Sequence, residues 1–228
     1  MTSYFEATDD KMRDLQARFG TETAPVTVNG KTVQIVQVKE IGRILEKQFS
    51  QDDPLADFPF WARIWEASII LSYEISKIKP EENKKFLEIG AGIGVAGLFA
   101  AAFGHDVTIT DYDENALLFA MMSAQANQLH NVKFQVLDWC SPSFYSKYDY
   151  IIGSEVLFNT KFSVPLCKLL NEALAPDGTV YFAHDKSRMA PRSFFELAEH
   201  HFKIETKKTV MRADDEQFHI LVHRLRKK

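Results

Sequence analysis

Three glycines at alternate positions, Gly90, Gly92 and Gly94, occur in the segment "FLEIGAGIGVAGL", with Glu88 two residues ahead of the first. Glycines at this spacing let the backbone approach a ligand closely at the end of a strand. A second pattern in the same segment starts at Gly92 and ends at Gly97, and it is typical of dinucleotide-binding turns. The segment therefore indicates a cofactor that contains a nucleoside, and each of the two glycine patterns favours a different cofactor of this kind.

Strand position and charge distinguish the two patterns. The strand is predicted to end at Ile89, so the loop begins with Gly90 and continues through Ala91, which leaves Val95 where a dinucleotide turn needs its third glycine. A carboxylate at Glu88 disfavours an anionic pyrophosphate and suits the ammonium and sulfonium of S-adenosylmethionine. We therefore predict S-adenosylmethionine as cofactor, and interpret Gly97 as a small residue that packs the following helix onto the sheet.

Acidic and aromatic residues follow the next two predicted strands. Asp111 is positioned to accept both ribose hydroxyls of either cofactor. Its neighbour Tyr112 is predicted to pack against adenine or to cover the sheet edge. Asp138 can accept a hydrogen bond from the adenine amino group, and the indole of Trp139 can lie against the ring. This last pair favours S-adenosylmethionine.

The segment "GSEVLF" follows the fourth predicted strand and supplies the candidate catalytic residues. Glu155 is predicted to bind the amine to be methylated, with Phe158 as an apolar wall, although Glu155 could instead cap the following helix. A carboxylate stabilises an ammonium and raises its pKa, so Glu155 would be a recognition and orientation group first. The basic residues of "HDKSRMAPR", namely Lys186, Arg188 and Arg192, fit either a solvated loop or contacts to an acidic substrate.

The elements that must position these residues are apolar strands alternating with helical patterns. Such alternation indicates a parallel sheet covered on both faces. An antiparallel strand pair is predicted to close the sheet, which a two-fold nucleotide-binding sheet would not have. The predicted strands are 86–90, 106–110, 132–137, 148–153, 179–184, 203–212 and 217–225, and the predicted helices are 95–103, 114–128, 161–175 and 191–202.

The N-terminal part, residues 1–60, reads as an appendage to a domain of residues 61–228. It contains a short polar helix near 9–19 and two alternating segments around Asn29-Gly30, a dipeptide that strongly indicates a hairpin. A further helix is predicted over 39–49 and a loop over 50–60. The appendage is interpreted as either a structural cap or a substrate-side lid. The domain is predicted to open with a helix running from Trp61 to the break at Pro80.

Composition excludes several classes of protein. The chain has 228 residues, 46% hydrophobic and 25% charged, with a net charge of −4, so no global positive field would attract nucleic acid. No apolar stretch approaches the roughly 18 residues of a membrane span, and the N-terminal residues lack a leader pattern. Cys140 and Cys167 lack metal or disulfide spacing, so no metal is expected. We expect a cytoplasmic protein whose oligomeric state is open and for which a monomer is plausible.

Taken in order, "FLEIGAGIGVAGL", "VTITDYDENAL" and "LDW" resemble the seven-strand class I methyltransferases over residues 61–228. "IWEASIILSYEI" and "GSEVLF" resemble their protein-lysine methyltransferase group, which has a (D/E)-x-x-(Y/F) motif. The resemblance implies an α/β, Rossmann-like, doubly wound fold and a protein lysine as methyl acceptor. It further implies that Trp65 borders the cofactor and that Ser154 lies at the pocket floor. A small-molecule amine methyltransferase and a non-catalytic cofactor-binding module are the alternatives.

The same resemblance assigns a set of residues to the cofactor pocket. Phe158 departs from the more usual tyrosine of the group and lacks its hydroxyl. The cofactor set comprises Trp65, Glu88, Gly90, Ala91, Gly92, Gly94, Asp111, Tyr112, Asp138, Trp139 and Ser154.

Overall fold

The central part of the chain alternates strands and helices as predicted. The structure is a computed structural model that describes residues 4–5, 8–39, 60–144, 146–188, 192–213 and 216–228. The elements after the N-terminal segment are α2 (Glu66–Ile75), β3 (Lys85–Glu88), α3 (Val95–Ala102), β4 (Asp106–Asp111), α4 (Glu114–Ala126), β5 (Val132–Val136), β6 (Tyr148–Ser154), α5 (Ser163–Ala173), β7 (Leu174–Asp185), α6 (Arg192–Ala198), β8 (Phe202–Ala213) and β9 (Glu216–Lys227).

These strands form one seven-stranded sheet in the order β5-β4-β3-β6-β7-β9-β8. The first five are parallel, and β9 runs antiparallel to both β7 and β8. The arrangement confirms the predicted Rossmann-like α/β fold with an antiparallel C-terminal pair. Strand β7 begins earlier than predicted, because Leu174 pairs with Tyr148 ahead of a register shift in β6.

Apolar cores lie on both faces of the sheet. Successive residues of β3 point to opposite faces, so Phe86 belongs to one core and Leu87 to the other, and both are fully buried. Helices α2, α3 and α4 supply the first core, and α5 and α6 supply the second. Burial on both faces favours apolar side chains, and Phe86 and Leu87 of β3 and Val107 and Ile109 of β4 are all fully buried.

The N-terminal segment forms α1 (Asp9–Phe19), β1 (Thr21–Val28) and β2 (Lys31–Val38), and the last two make the predicted hairpin. Both turn residues have positive φ, 46° at Asn29 and 77° at Gly30. The predicted helix over 39–49 and loop over 50–60 lie outside the described residues, apart from Lys39 and Phe60.

The hairpin is attached to the main sheet through α4. The backbone N–H of Val36 donates to Ser123 Oγ at 2.9 Å, and that of Gln34 donates to Asn127 Oδ1 at 2.8 Å. These side chains satisfy backbone groups that β2 would otherwise leave unpaired at an edge. Buried side chains of the hairpin, such as Ile35, join the core formed by α3 and α4.

The helix predicted from Trp61 begins later, at Glu66, so the prediction for residues 61–65 was wrong. Phe60–Ala62 form a short 3₁₀ turn, and Trp65 has an extended backbone with its indole N–H donating to the carbonyl of Phe60 at 3.1 Å. The Trp61 ring packs 5.6 Å, centroid to centroid, from the rings of Phe19 and Phe119. Tertiary packing of the two indoles therefore overrides the local helical pattern.

Candidate functional site

A cavity of about 850 Å³ lies at the carboxyl ends of β3, β4 and β6. In an open parallel sheet this is where ligands bind, because neighbouring connections leave to opposite faces there. Most of the predicted site residues line it: Trp65, Gly90, Ala91, Gly92, Asp111, Tyr112, Asp138, Trp139, Ser154, Glu155 and Phe158. Glu88 and Gly94 are not among its lining residues.

The glycine loop after β3 forms the cavity floor, and it needs glycine for two reasons. Gly90, Gly92 and Gly94 have φ of 56°, 56° and 79°, a left-handed conformation that other residues adopt only with strain. A Cβ on Gly90 would also lie 2.9 Å from the Trp139 ring, and one on Gly92 would lie 2.9 Å from the Trp61 carbonyl oxygen. The loop therefore presents bare backbone to the cavity.

Glu88 lies behind this loop and does not line the cavity, although the sequence had suggested a place in the cofactor pocket. Its side chain is buried, and Oε2 accepts a hydrogen bond from the backbone N–H of Gly97 at 3.0 Å. That N–H is in the first turn of α3, where the helix leaves its own donors unpaired and attracts a carboxylate. Burial raises the pKa of Glu88 to about 8, and the nearby Asp111 adds to the rise.

Gly97 packs the helix onto the sheet as predicted. A Cβ added there would overlap the Glu88 carboxylate and lie 2.7 Å from Ile109 Cγ1. The close approach of α3 to β3 and β4 therefore depends on the missing side chain, and it also brings the Gly97 N–H within reach of Glu88.

Asp111, at the end of β4, hydrogen-bonds to the glycine loop and also lines the cavity. Its Oδ2 accepts from the Gly92 N–H at 2.7 Å, and Oδ1 accepts from the Asp113 N–H at 2.9 Å. Burial raises the pKa of Asp111 despite these hydrogen bonds. A carboxylate offers about four acceptor positions, so capacity remains for a hydroxyl of a ligand. Tyr112 beside it is 74% exposed and presents its ring at the cavity edge.

Aromatic rings form the wall beyond β5. Asp138 accepts a hydrogen bond from the Cys140 N–H at 2.8 Å, which fixes the turn that carries Trp139. The Trp139 ring centroid lies 6.4 Å from that of Phe158 and 5.3 Å from that of Phe162. A wall of this kind suits a flat heteroaromatic ring such as adenine.

Glu155 follows β6 and faces the cavity. Its φ of 55° is unusual for a residue with a side chain, and such strain is concentrated at functional sites. Oε1 accepts from the Asp185 N–H at 2.9 Å, and only 11% of the side chain is exposed. Burial raises the pKa of Glu155, and the neighbouring guanidinium of Arg188 opposes that rise. The helix-cap alternative is wrong, because Asn159 caps the following helical turn.

Arg188, which the sequence left open between a solvated loop and a contact to an acidic substrate, lines the cavity. Its guanidinium carbon lies 3.8 Å from the centroid of the Trp65 ring, and its Nη1 lies 3.8 Å from Glu155 Oε2. Of the three basic residues considered in that segment, it is the one that lines the cavity, whereas Lys186 and Arg192 do not. The sequence feature that could have identified Arg188 is its position just after β7, at the same edge of the sheet as the glycine loop.

Bare backbone, a carboxylate at the end of β4 and an aromatic wall beyond β5 fit S-adenosylmethionine. The ribose needs hydroxyl acceptors and the adenine a flat apolar surface, and a volume of about 850 Å³ is within the range of small-molecule sites. Among the described residues, no three His, Cys, Asp or Glu side chains converge as metal ligands, and no described helix is long and apolar enough to span a membrane.

Fold and site together define a class I methyltransferase that uses S-adenosylmethionine. The N-methyltransferase NodS from Bradyrhizobium japonicum, solved with S-adenosyl-L-homocysteine, has a similar fold, with a TM-score of 0.55 at 20% identity, over 83% of this chain and 99% of that one. The family model described as lysine methyltransferase matches residues 60–201, and the chain belongs to this family.

Two relatives act on lysine according to their names. The chain is 29% identical over 149 residues to the protein N-lysine methyltransferase METTL21A of Xenopus tropicalis, which is 63% of this chain and 69% of that protein. It is 30% identical over 176 residues to EEF1A lysine methyltransferase 3 of Mus musculus, which is 72% of each chain.

Proposed function

We propose that this lysine methyltransferase acts on a lysine side chain of another protein and that Glu155 receives the acceptor amine. One observation carries the assignment: a largely buried carboxylate, held in a strained conformation, faces the cavity beside the glycine loop. The names of the two relatives support a protein as substrate.

In this proposal one side of the cavity holds the cofactor. The backbone of Gly90, Ala91 and Gly92 faces its methionine end, and Asp111 accepts the ribose hydroxyls. When bound, S-adenosylmethionine supplies an electrophilic methyl group that leaves sulfur as a nucleophile attacks in line. The remaining residues of this side are Tyr112, Asp138, Trp139 and Ser154, with Glu88 and Gly94 shaping the loop from behind. Trp65 borders the cofactor and also faces the acceptor side, where Arg188 and Glu155 lie.

Glu155 recognises and orients the amine. A free lysine has a pKa near 10.4, so roughly one in a few thousand is neutral at pH 7, at a cost of about 4–5 kcal/mol. A carboxylate alone would raise that cost by stabilising the ammonium. Burial and the cofactor's positive charge disfavour the ammonium, so its proton is released to water, while Glu155 fixes the direction of the nitrogen. Correct placement of the nitrogen contributes several kcal/mol to the rate.

Phe158 forms an apolar wall on the acceptor side. Its ring is 63% exposed, which leaves it accessible to a protein partner. It contacts Phe162 at a centroid distance of 5.7 Å, so a lysine stem would pass between the two rings and the Glu155 carboxylate. The faces of the two rings offer apolar surface on which the methylene chain of a lysine can pack.

We also infer the roles of the remaining parts of the chain. Residues 1–60 would be an appendage to the methyltransferase domain of residues 61–228, and the hairpin would be a structural cap, since α4 satisfies the backbone of β2. Two free cysteines suit a reducing compartment, and we propose that the protein works in the cytoplasm.

Transfer of labelled methyl groups in a cell lysate tests the proposal. We expect the wild-type protein to label a protein band, with the label on lysine by mass spectrometry, and Glu155→Gln to abolish it while cofactor affinity by calorimetry stays within about threefold. Glu196→Gln, an exposed glutamate on α6, is the matched control and should label like the wild type. Label restricted to small metabolites or to other residue types would contradict the protein-lysine assignment.

A further inference from the structure

We propose that the space between the Trp65 ring and the Glu155 carboxylate is the subsite for the acceptor ammonium, and that Arg188 occupies it in the absence of the acceptor. The inference rests on the proposed function, because it locates the amine that the proposed reaction methylates. It adds a specificity-determining residue from a loop that no sequence motif marks.

The geometry shows a cation already held by two partners. The Arg188 guanidinium carbon lies 3.8 Å from the Trp65 ring centroid, well inside the range of a cation–π contact. Its Nη1 lies 3.8 Å from Glu155 Oε2. The other carboxylate oxygen, Oε1, is taken by the Asp185 N–H. Glu155 therefore has one oxygen available for a cation, and Arg188 faces it.

A lysine ammonium would use the same two partners. An aromatic face and a carboxylate are the groups that attract an alkylammonium in a partly dehydrated site. An ammonium on the same ring face and the same carboxylate oxygen would occupy the volume that the Arg188 guanidinium fills. The acceptor must therefore displace the Arg188 side chain, and the chemical class that fits is a primary amine on a narrow, flexible stem.

Displacement of Arg188 would cost little. Its side chain is 43% exposed, and its separation from Glu155 is longer than a hydrogen bond. Ion pairs of this kind are weak. Its backbone N–H donates to the Asp185 carbonyl at 3.0 Å, so the turn can stay in place while the side chain moves. The guanidinium of Arg63 also lies on the Trp65 ring, but it pairs with the Glu66 carboxylate at 3.1 Å and not with Glu155.

Binding of n-butylammonium, which mimics a lysine side chain, tests the subsite without requiring methyl transfer. The indole N–H signal of Trp65, identified with Trp65→Phe, would be followed by NMR during the titration. We expect Arg188→Met to bind butylammonium at least threefold more tightly than the wild type, because the competing cation is gone while the stem is kept. Arg192→Met, at an exposed arginine outside the cavity, should behave like the wild type.

Kinetics with the labelled acceptor give the second measurement. Arg188→Met should lower the acceptor KM at least threefold and leave kcat and the cofactor Kd within about twofold. Equal butylammonium affinity in Arg188→Met and the wild type would overturn the inference. Weaker cofactor binding by Arg188→Met would also overturn the inference, because it would indicate that Arg188 binds the carboxylate of the cofactor.

The two failures can be told apart. A wild-type protein that labels no lysine contradicts the proposed function. A wild-type protein that labels lysine, but whose butylammonium affinity and acceptor KM do not change in Arg188→Met, contradicts this inference alone. Adding Glu155→Gln to Arg188→Met should return the butylammonium affinity to the wild-type value or below.

Discussion

Glu88 and Glu155 lie at the carboxyl ends of neighbouring parallel strands, and their carboxyl groups have contrasting surroundings. Glu88 ends β3 and is 1% exposed, with its Oε2 held by the first turn of α3. Glu155 follows β6, faces the cavity, and has one oxygen bound to the Asp185 N–H and the other beside Arg188. Burial raises the pKa of both carboxyls.

The comparison shows that the role of a carboxylate depends on whether neighbouring groups leave one of its oxygens free to bind a ligand. The Glu88 carboxyl is enclosed by the glycine loop and α3, so it shapes the loop. Glu155 keeps an oxygen toward the cavity, so it can bind a ligand. In the proposed site, the glycine loop presents backbone to the cofactor, whereas the side chains of Glu155 and Phe158 face the acceptor. The two sides should therefore respond differently to mutation and pH.

The largest expected effect is the pH dependence contributed by Glu88. Its pKa is about 8 in the folded protein against 4.5 for the unconstrained group, so the folded state binds more protons between these values. The free energy of unfolding should therefore fall as pH rises through this window, by up to about 1.4 kcal/mol per pH unit.

Urea denaturation of the wild type and Glu88→Gln from pH 5 to 8 measures this effect. The glutamine variant should show a flatter profile, and Glu155→Gln should flatten it less because that side chain is less enclosed. A wild-type profile without slope in this range would show that Glu88 is ionised and paired.

The second effect concerns the packing that encloses Glu88. Gly97→Ala would place a methyl group against the Glu88 carboxylate and Ile109, and we expect a loss of about 3 kcal/mol in unfolding free energy. Gly30→Ala is the control, because its Cβ meets no atom within 4 Å and only the positive φ opposes it, at about 1 kcal/mol. Equal losses in the two variants would mean that the contacts around Gly97 relax to accommodate the methyl group.

The third effect distinguishes cofactor binding from stability. Asp111→Asn removes a charge and one of the two acceptors for backbone N–H groups, so we expect S-adenosylmethionine affinity to fall about 30-fold, or about 2 kcal/mol. Calorimetry measures it. Asp106→Asn, at the opposite end of β4 and paired with Lys133, should leave affinity unchanged. A comparable loss in both variants would indicate a general effect on the strand.

The smallest effect belongs to the exposed aromatic wall. Phe158→Ala should lower kcat/KM for the protein acceptor about tenfold, about 1.4 kcal/mol, without changing the cofactor Kd. Phe158→Tyr keeps the ring and should stay within about threefold of the wild type. Weaker cofactor binding by Phe158→Ala would indicate that Phe158 contacts the cofactor and not the acceptor.

Much of the cofactor side could be predicted from the sequence. The glycines at 90, 92 and 94, the acidic ends of the strands and the Asn29-Gly30 hairpin all act over a few residues, so local pattern and turn chemistry suffice. The parallel sheet with its closing antiparallel pair could be predicted because alternating apolar strands and helices allow few arrangements. The seven-stranded sheet confirms that reasoning.

The tertiary structure decided which way side chains point and which distant segments meet. The Glu88 carboxyl accepts a hydrogen bond from the first turn of α3, and the indoles of Trp61 and Trp65 hold their segment in a turn. Arg188 reached Trp65 and Glu155 because β7 and β6 end at the same edge of the sheet. Local sequence patterns do not encode such convergence, since it depends on the packing of the whole sheet.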